Sequence, residues 1–151
     1  VSAGRRLAID FGDARIGLAM SDPSGFLASP MATIKNGSDR EEILKKLRAI
    51  VLENEIVTIY IGLPLLLSGE EGAAAEKTRN FARELSTQLP DNITIKMIDE
   101  RLTTVSAEKN ARARGHKLAK SEIDQFAATA ILESALQSER NREESSESAS
   151  E

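Results

Sequence analysis

Two turn sequences near the start of the chain, Gly12-Asp13 and Asp22-Pro23-Ser24-Gly25, cut its first apolar stretch into three short runs: Arg6 to Asp10, Ile16 to Ser21 and Phe26 to Thr33. Runs this short, joined by residues that reverse the chain, predict three strands laid side by side as an antiparallel meander. The period then changes. Ser38 stands three residues before Glu41 as a capping box, and Ile43, Leu47, Ile50 and Val51 recur at helical spacing, which predicts a helix from Asp39 to Asn54. Ile56 to Ile61 is a compact β-branched run of the kind a buried parallel strand shows. Gly62, Pro64 and Gly69 make a loop, and Ala74, Thr78, Phe81 and Leu85 mark a second helix, which Pro90-Asp91-Asn92 stops before a last strand, Ile93 to Ile98. Two further helical stretches, about Thr103 to Arg114 and about Ser121 to Gln137, close the chain with Gly115 as a C-cap between them. The order predicts an α/β fold: a mixed five-stranded sheet whose first three strands are antiparallel, whose first, fourth and fifth are parallel through helical crossovers, and whose two faces both carry helices.

A chain of 151 residues, 40% of them hydrophobic, is one ordinary domain with enough core to need no staple. It has no cysteine, which excludes disulfides, thiolate metal sites and cysteine nucleophiles and fits a reducing compartment. No apolar run is long enough to cross a bilayer, and Val1 to Arg6 lacks the apolar centre of a secretory signal, so a cytoplasmic protein is expected. From Glu139 onward the only apolar residue is Ala149, so residues 139–151 are expected to form a disordered acidic tail behind a domain of residues 1–138. The net charge of -4 argues against coating nucleic acid by bulk electrostatics. Arg101 to Lys120 is different: Arg101, Lys109, Arg112, Arg114, Lys117 and Lys120 face only Glu108, a local basic patch that reads either as a solvated helix face or as a phosphate-binding surface.

Acids at strand ends are the most informative side chains, because a carboxylate there is held rigidly yet reaches the crevice beyond the sheet where ligands of open α/β folds bind. Asp10 ends the first strand, Asp99 and Glu100 end the last, and Asp124 opens the final helix, in a turn that Ile123 and Phe126 are expected to pack against the sheet. Carboxylates gathered on one edge repel each other unless a divalent cation neutralises them, and Mg²⁺ suits such oxygen ligands. A pair of such ions activates a water and stabilises the leaving oxygen of a phosphodiester. Each acid also has a plainer reading: Asp10 shapes a hairpin, Asp124 closes a capping box with Ser121, and Asp99 pairs with Arg101.

Asp10-Phe11-Gly12 with Arg15-Ile16-Gly17, then Ile61-Gly62-Leu63-Pro64, then Asp99 to Thr104 (DERLTT), then Asp124 ahead of Ala127 to Glu133 (AATAILE) together resemble the YqgF/RuvX family of RNase H-like nucleases, in order from about Arg5 to about Leu136. The resemblance implies an RNase H-like fold and kinship with Holliday-junction resolvases of the RuvC type. It also implies a role in maturing the 5′ end of the small-subunit ribosomal RNA precursor, the pre-16S rRNA. It makes Asp10, Glu100 and Asp124 the catalytic and metal-binding acids for Mg²⁺ or Mn²⁺. Substrate would be bound by Gly12, Arg15, Gly17, Arg101 and Thr103 and by the basic residues Arg112, Arg114, Lys117 and Lys120. Arg101 would sit beside the scissile phosphate, and Gly12 and Gly17 would admit a nucleic-acid strand close to the backbone. Leu66 and Ser68-Gly69 stand where the family usually carries Asn and Asp-Gly, and Ser106 where it carries Glu.

Three other readings compete with this one. Asp10-x-Gly12 with Gly17 also resembles the phosphate hairpin of actin-like ATPases, but one domain of this size cannot form their two-domain cleft. Asp-Phe-Gly matches a kinase motif without the glycine-rich or catalytic loop around it. The chain as a non-catalytic RNA-binding, ribosome-associated module would use the basic patch with structural acids. The four Phe and one Tyr, expected mostly in the core, give that reading no stacking platform. The substrate expected is nucleic acid, pre-rRNA before DNA junctions, with the protein a monomer or homodimer and no membrane partner.

Overall fold

The computed structural model of the protein describes residues 4–101 and 120–149. Five strands, β1 (Arg5–Phe11), β2 (Arg15–Ser21), β3 (Ala28–Lys35), β4 (Ile56–Leu63) and β5 (Thr94–Asp99), form one sheet in the order β3-β2-β1-β4-β5. β1–β2 and β2–β3 pair antiparallel, whereas β1–β4 and β4–β5 pair parallel. Three helices cover it: α1 (Arg40–Glu53), α2 (Ala73–Thr87) and α3 (Lys120–Ala149). This is the mixed sheet predicted from the run order. The helix expected at about Thr103 to Arg114 lies outside the described residues.

Strand alternation divides the layers. Leu7, Ile9, Ile16, Leu18, Ile59 and Ile61 pack with Ile43, Leu44 and Leu47 of α1 and Phe81 and Leu85 of α2. The opposite face offers Ala8, Ala19 and Tyr60 to Ala128, Ile131, Leu132, Ala135 and Leu136 of α3. Small side chains on both partners let α3 lie close to the sheet, a feature that matters at its first turn.

Local details depart from the pattern. The helix-capping side chain of α1 is Asp39, which accepts from the Glu42 backbone N–H at 3.2 Å, rather than Ser38. Phe26 and Leu27, read as strand, instead lie in the β2–β3 loop, where their N–H groups donate to the Asp22 carboxylate at 2.8 and 2.9 Å. The Ser24 hydroxyl and these backbone donors push Asp22 down to about 2. With Phe26 69% exposed and Phe126 41% exposed, two of the aromatics expected in the core are at the surface. Ile123 is exposed too, and the first buried apolar residues of α3 are Ala127 and Ala128.

Beyond residue 138, where composition predicts no structure, α3 continues to Ala149. Glu139 explains why its start is anchored: its carboxylate accepts from the Tyr60 hydroxyl at 2.8 Å and lies 3.3 Å from Arg6, a guanidinium only 4% exposed. Burial first, then Glu139, pushes the Tyr60 phenol up to about 12. Deleting residues 139–151 strands Arg6 without its carboxylate, which is expected to cost about 2 kcal/mol and lower the melting temperature by roughly 4–8 °C; an unchanged melt would show that the anchor contributes nothing.

Candidate active site

The site is built at the carboxyl-terminal end of β1, on the α3 face, where the row that begins with Ala8 continues to Asp10. Asp10 pairs across β2 with Gly17, and the strand on its other side, β4, brings Gly62 level with the same end. Both glycines are needed for space. A Cβ on Gly17 would stand 2.2 Å from the Asp124 carbonyl oxygen, and one on Gly62 would meet Ile131 Cδ1 at 2.6 Å and Glu100 Cδ at 3.2 Å. The first turn of α3 therefore rests on Gly17, Glu100 folds over Gly62, and Asp10 lies between them. Glu100 is held in turn by its backbone N–H, which donates to the Leu63 carbonyl at 3.2 Å.

The electrostatics follow from that arrangement. Asp10 is pushed up to about 9, first by burial, then by its side-chain hydrogen bond to Glu100, then by the charges of Glu100 and Asp124. Two neighbouring carboxylates and little water favour a proton on Asp10, or any other positive charge at that spot. Asp124 is close enough to act on Asp10, but its carboxylate accepts from Arg15 Nε at 2.8 Å. Among the described residues, no three acidic or histidine side chains are grouped closely enough to cage an ion as they stand. The donors are oxygen-only and anionic, as Mg²⁺ prefers. Asp124 as it stands is engaged by Arg15.

The other candidates are distributed as follows. Arg101 is turned onto Asp99, with Nη2 2.6 Å from Oδ2 and Nε 3.0 Å from Oδ1, and this bond holds the Asp99 carboxyl below the usual range. Its Nη1 also reaches the Leu67 carbonyl at 3.5 Å, in the loop where Leu66 and Ser68-Gly69 replace polar family residues. Gly12 closes the β1–β2 hairpin: its N–H donates to the Arg15 carbonyl at 3.0 Å, and an added Cβ would stand 2.7 Å from that oxygen. An added Cβ at either glycine would thus meet the chain itself, the Arg15 carbonyl at Gly12 and the Asp124 carbonyl at Gly17. Thr103, Arg112, Arg114 and Lys117 lie outside the described residues, and Lys120 begins α3. Gly62, expected in a loop and part of the Ile61-Gly62-Leu63-Pro64 motif with no role of its own, lies instead within β4; the signal that marks it is its position one residue beyond Ile61, on the same face as Tyr60.

The family described as RuvX, Holliday junction resolvase, matches residues 4–138. A protein of Streptomyces coelicolor is 48% identical over 139 residues, covering 91% of this chain and 82% of that protein, and one of Thermobifida fusca is 45% identical over 146 residues, covering 91% and 89%. Both carry the name "Putative pre-16S rRNA nuclease". Among solved structures, Thermus thermophilus RuvC in complex with a Holliday junction substrate superposes with a TM-score of 0.60 at 11% identity, over 91% of this chain and 96% of that one. At that identity the likeness is one of fold, and it is the RNase H-like fold expected.

Proposed function

We propose that this chain, which belongs to the RuvX family, is a divalent-metal-dependent nuclease that hydrolyses a phosphodiester bond of structured nucleic acid, with pre-16S rRNA as its substrate. The observation that carries this reading is the buried Asp10 carboxyl, bonded to Glu100 and repelled by Asp124 at the end of β1. Relatives 41–48% identical over most of the chain, all named for the same ribosomal RNA precursor, support the choice of substrate.

Asp10, Glu100 and Asp124 are the residues that would hold Mg²⁺ or Mn²⁺, which supplies an activated water and stabilises the leaving oxygen. The chain's own residues do the rest. Gly62 and the Leu63 carbonyl fix Glu100 against Asp10, so that one carboxyl is not free to swing from the other. Arg15 stores Asp124 beside the site; releasing that pair turns a second carboxylate toward Asp10 and frees a guanidinium for a backbone phosphate. Arg101 at the exposed rim trades Asp99 for a phosphate oxygen in the same way, a small cost for a pair that is more than a third exposed on both sides.

The test is incubation with precursor ribosomal RNA and, separately, a four-way DNA junction, in Mg²⁺ or Mn²⁺, beside Glu100→Gln. Cleavage of the RNA by the wild type alone is expected. Cutting of the junction instead would make the protein a resolvase, which needs two matched sites and therefore a dimer. No cleavage of either, with RNA still bound, would leave a binding module.

A further inference from the structure

On the opposite face of the sheet, between α1 and α2, lies a cavity of about 450 Å³ whose floor is the stacked pair Phe11 and Phe81, with ring centroids 4.3 Å apart. Arg40 lines it. Its guanidinium carbon sits 5.1 Å from the Phe11 ring centre and 5.4 Å from that of Phe81, and its Nε lies 3.6 Å from Glu84. These contacts fix the guanidinium plane, yet the buried Nη1 has no hydrogen-bond partner among the described residues. A buried N–H without an acceptor is uncommon and costly, and in a guanidinium the matching acceptor is an oxyanion that takes two donors.

The other groups around Arg40 point the same way. Lys77 lines the cavity, its only ion-pair partner among the described residues being Asp13, 3.9 Å away and 96% exposed at the rim. Asn80 accepts from Arg83 through Oδ1, which leaves its amide N–H groups as what it offers to a ligand. Of the lining carboxylates, Glu84 is engaged by Arg40 and Asp13 is at the solvent edge. Arg40, Lys77 and the Asn80 amide are thus the donors in a lining that also holds Asp13, Glu84 and Asn36, whose own amide N–H donates to the Gly12 carbonyl at 2.8 Å.

We propose that this cavity binds a phosphate group of the nucleic-acid strand, with Arg40 and Lys77 as its charged donors. That the phosphate belongs to a strand rests on the nuclease reading; that the site takes phosphate does not. Phe11 follows Asp10 in the chain and faces the other side of the sheet, their Cα atoms about 3.8 Å apart. A strand drawn across the end of β1 meets the carboxylates on one face and this cavity on the other. The cavity positions such a strand without reading its sequence.

The experiment measures binding of a labelled single-stranded RNA to the full chain in EDTA, as a function of salt, for the wild type, Lys77→Gln, Arg40→Lys and Lys45→Gln. Lys77→Gln changes an exposed side chain, so it tests the site even if Arg40→Lys disturbs the fold. Loss of one phosphate contact should weaken binding about tenfold and lower the slope of log affinity against log salt by about 0.7, with Lys45→Gln, an exposed α1 lysine outside the cavity, unaffected. Inorganic phosphate should compete with the RNA for the wild type. Wild-type affinity and slope in Lys77→Gln and Arg40→Lys would overturn the proposal. So would variants that lose inorganic phosphate but keep RNA, since the cavity would then serve a free anion. Weakened variants with no cleavage by the wild type would leave this site standing while the nuclease reading fell.

Discussion

Asp10→Asn is expected to abolish cleavage while making the metal-free protein more stable at alkaline pH. Losing a carboxylate from a metal-held phosphodiester site removes several kcal/mol of transition-state stabilisation, on the order of a 10³-fold loss in rate. Asparagine nonetheless keeps the shape of Asp10 and can donate to Glu100 as the protonated acid does. The stability effect follows from the raised Asp10 value of about 9 against 3.8 for the free group. Between those values the folded chain holds a proton that the unfolded chain has released. Stability is therefore fully present below the unfolded value and is lost as pH rises toward the folded one. In EDTA the wild type should melt progressively lower from about pH 5 to about pH 8, and Asp10→Asn should show a flatter profile that crosses above it. A wild-type profile no steeper than that of the variant would mean that Asp10 is neither buried with nor opposed by the other two acids.

The second large effect is expected at Gly17. In Gly17→Ala the new Cβ meets the Asp124 backbone 2.2 Å away, where no rotamer change relieves the clash, so α3 must lift from the sheet. About 3 kcal/mol is expected for such overpacking, or a melting temperature lower by roughly 6–12 °C, with cleavage reduced because Asp124 moves with the helix. Gly62→Ala should behave differently. Its Cβ presses on the end of the Ile131 side chain, which can turn aside, and on Glu100, which cannot do so without leaving Asp10. It should lose more activity than stability. Gly37→Ala, where nothing lies within 4 Å, is the control for the added methyl. If Gly17→Ala melts like Gly37→Ala, the contact between α3 and β2 is not as close as described.

Much of this was legible in the sequence because it depends on local signals. Turn residues after Asp10 and Ser21 set the meander, β-branched runs set β4 and β5, and acids immediately after apolar runs marked the end of the sheet where Asp10 and Glu100 meet. The illegible parts depend on what lies opposite a residue. Nothing local says that the space over Gly17 belongs to α3 and that over Gly62 to Glu100; both follow from the crossing of a helix distant in sequence. Phe26 and Leu27 read as strand because they are apolar, but Asp22 accepts their N–H groups and holds them in the loop. The region after Glu139 read as tail because its composition is polar, and one carboxylate facing Arg6 and Tyr60 is invisible to composition. Arg40 gave no signal at all, since a lone arginine opening a helix is unremarkable until two phenylalanines are found beneath it.

The account rests on Asp10, Glu100 and Asp124 acting as one site for a divalent cation, and melting temperature against Mg²⁺ or Mn²⁺ concentration tests it most directly. A ligand that binds only the folded chain raises its melting temperature, by about 2.7 kcal/mol of added stability at a hundred times the dissociation constant. A metal-dependent rise is expected in the wild type, growing with pH as the proton on Asp10 becomes easier to displace, with no rise in Asp10→Asn. Equal shifts in the two proteins, or none in the wild type, would contradict it.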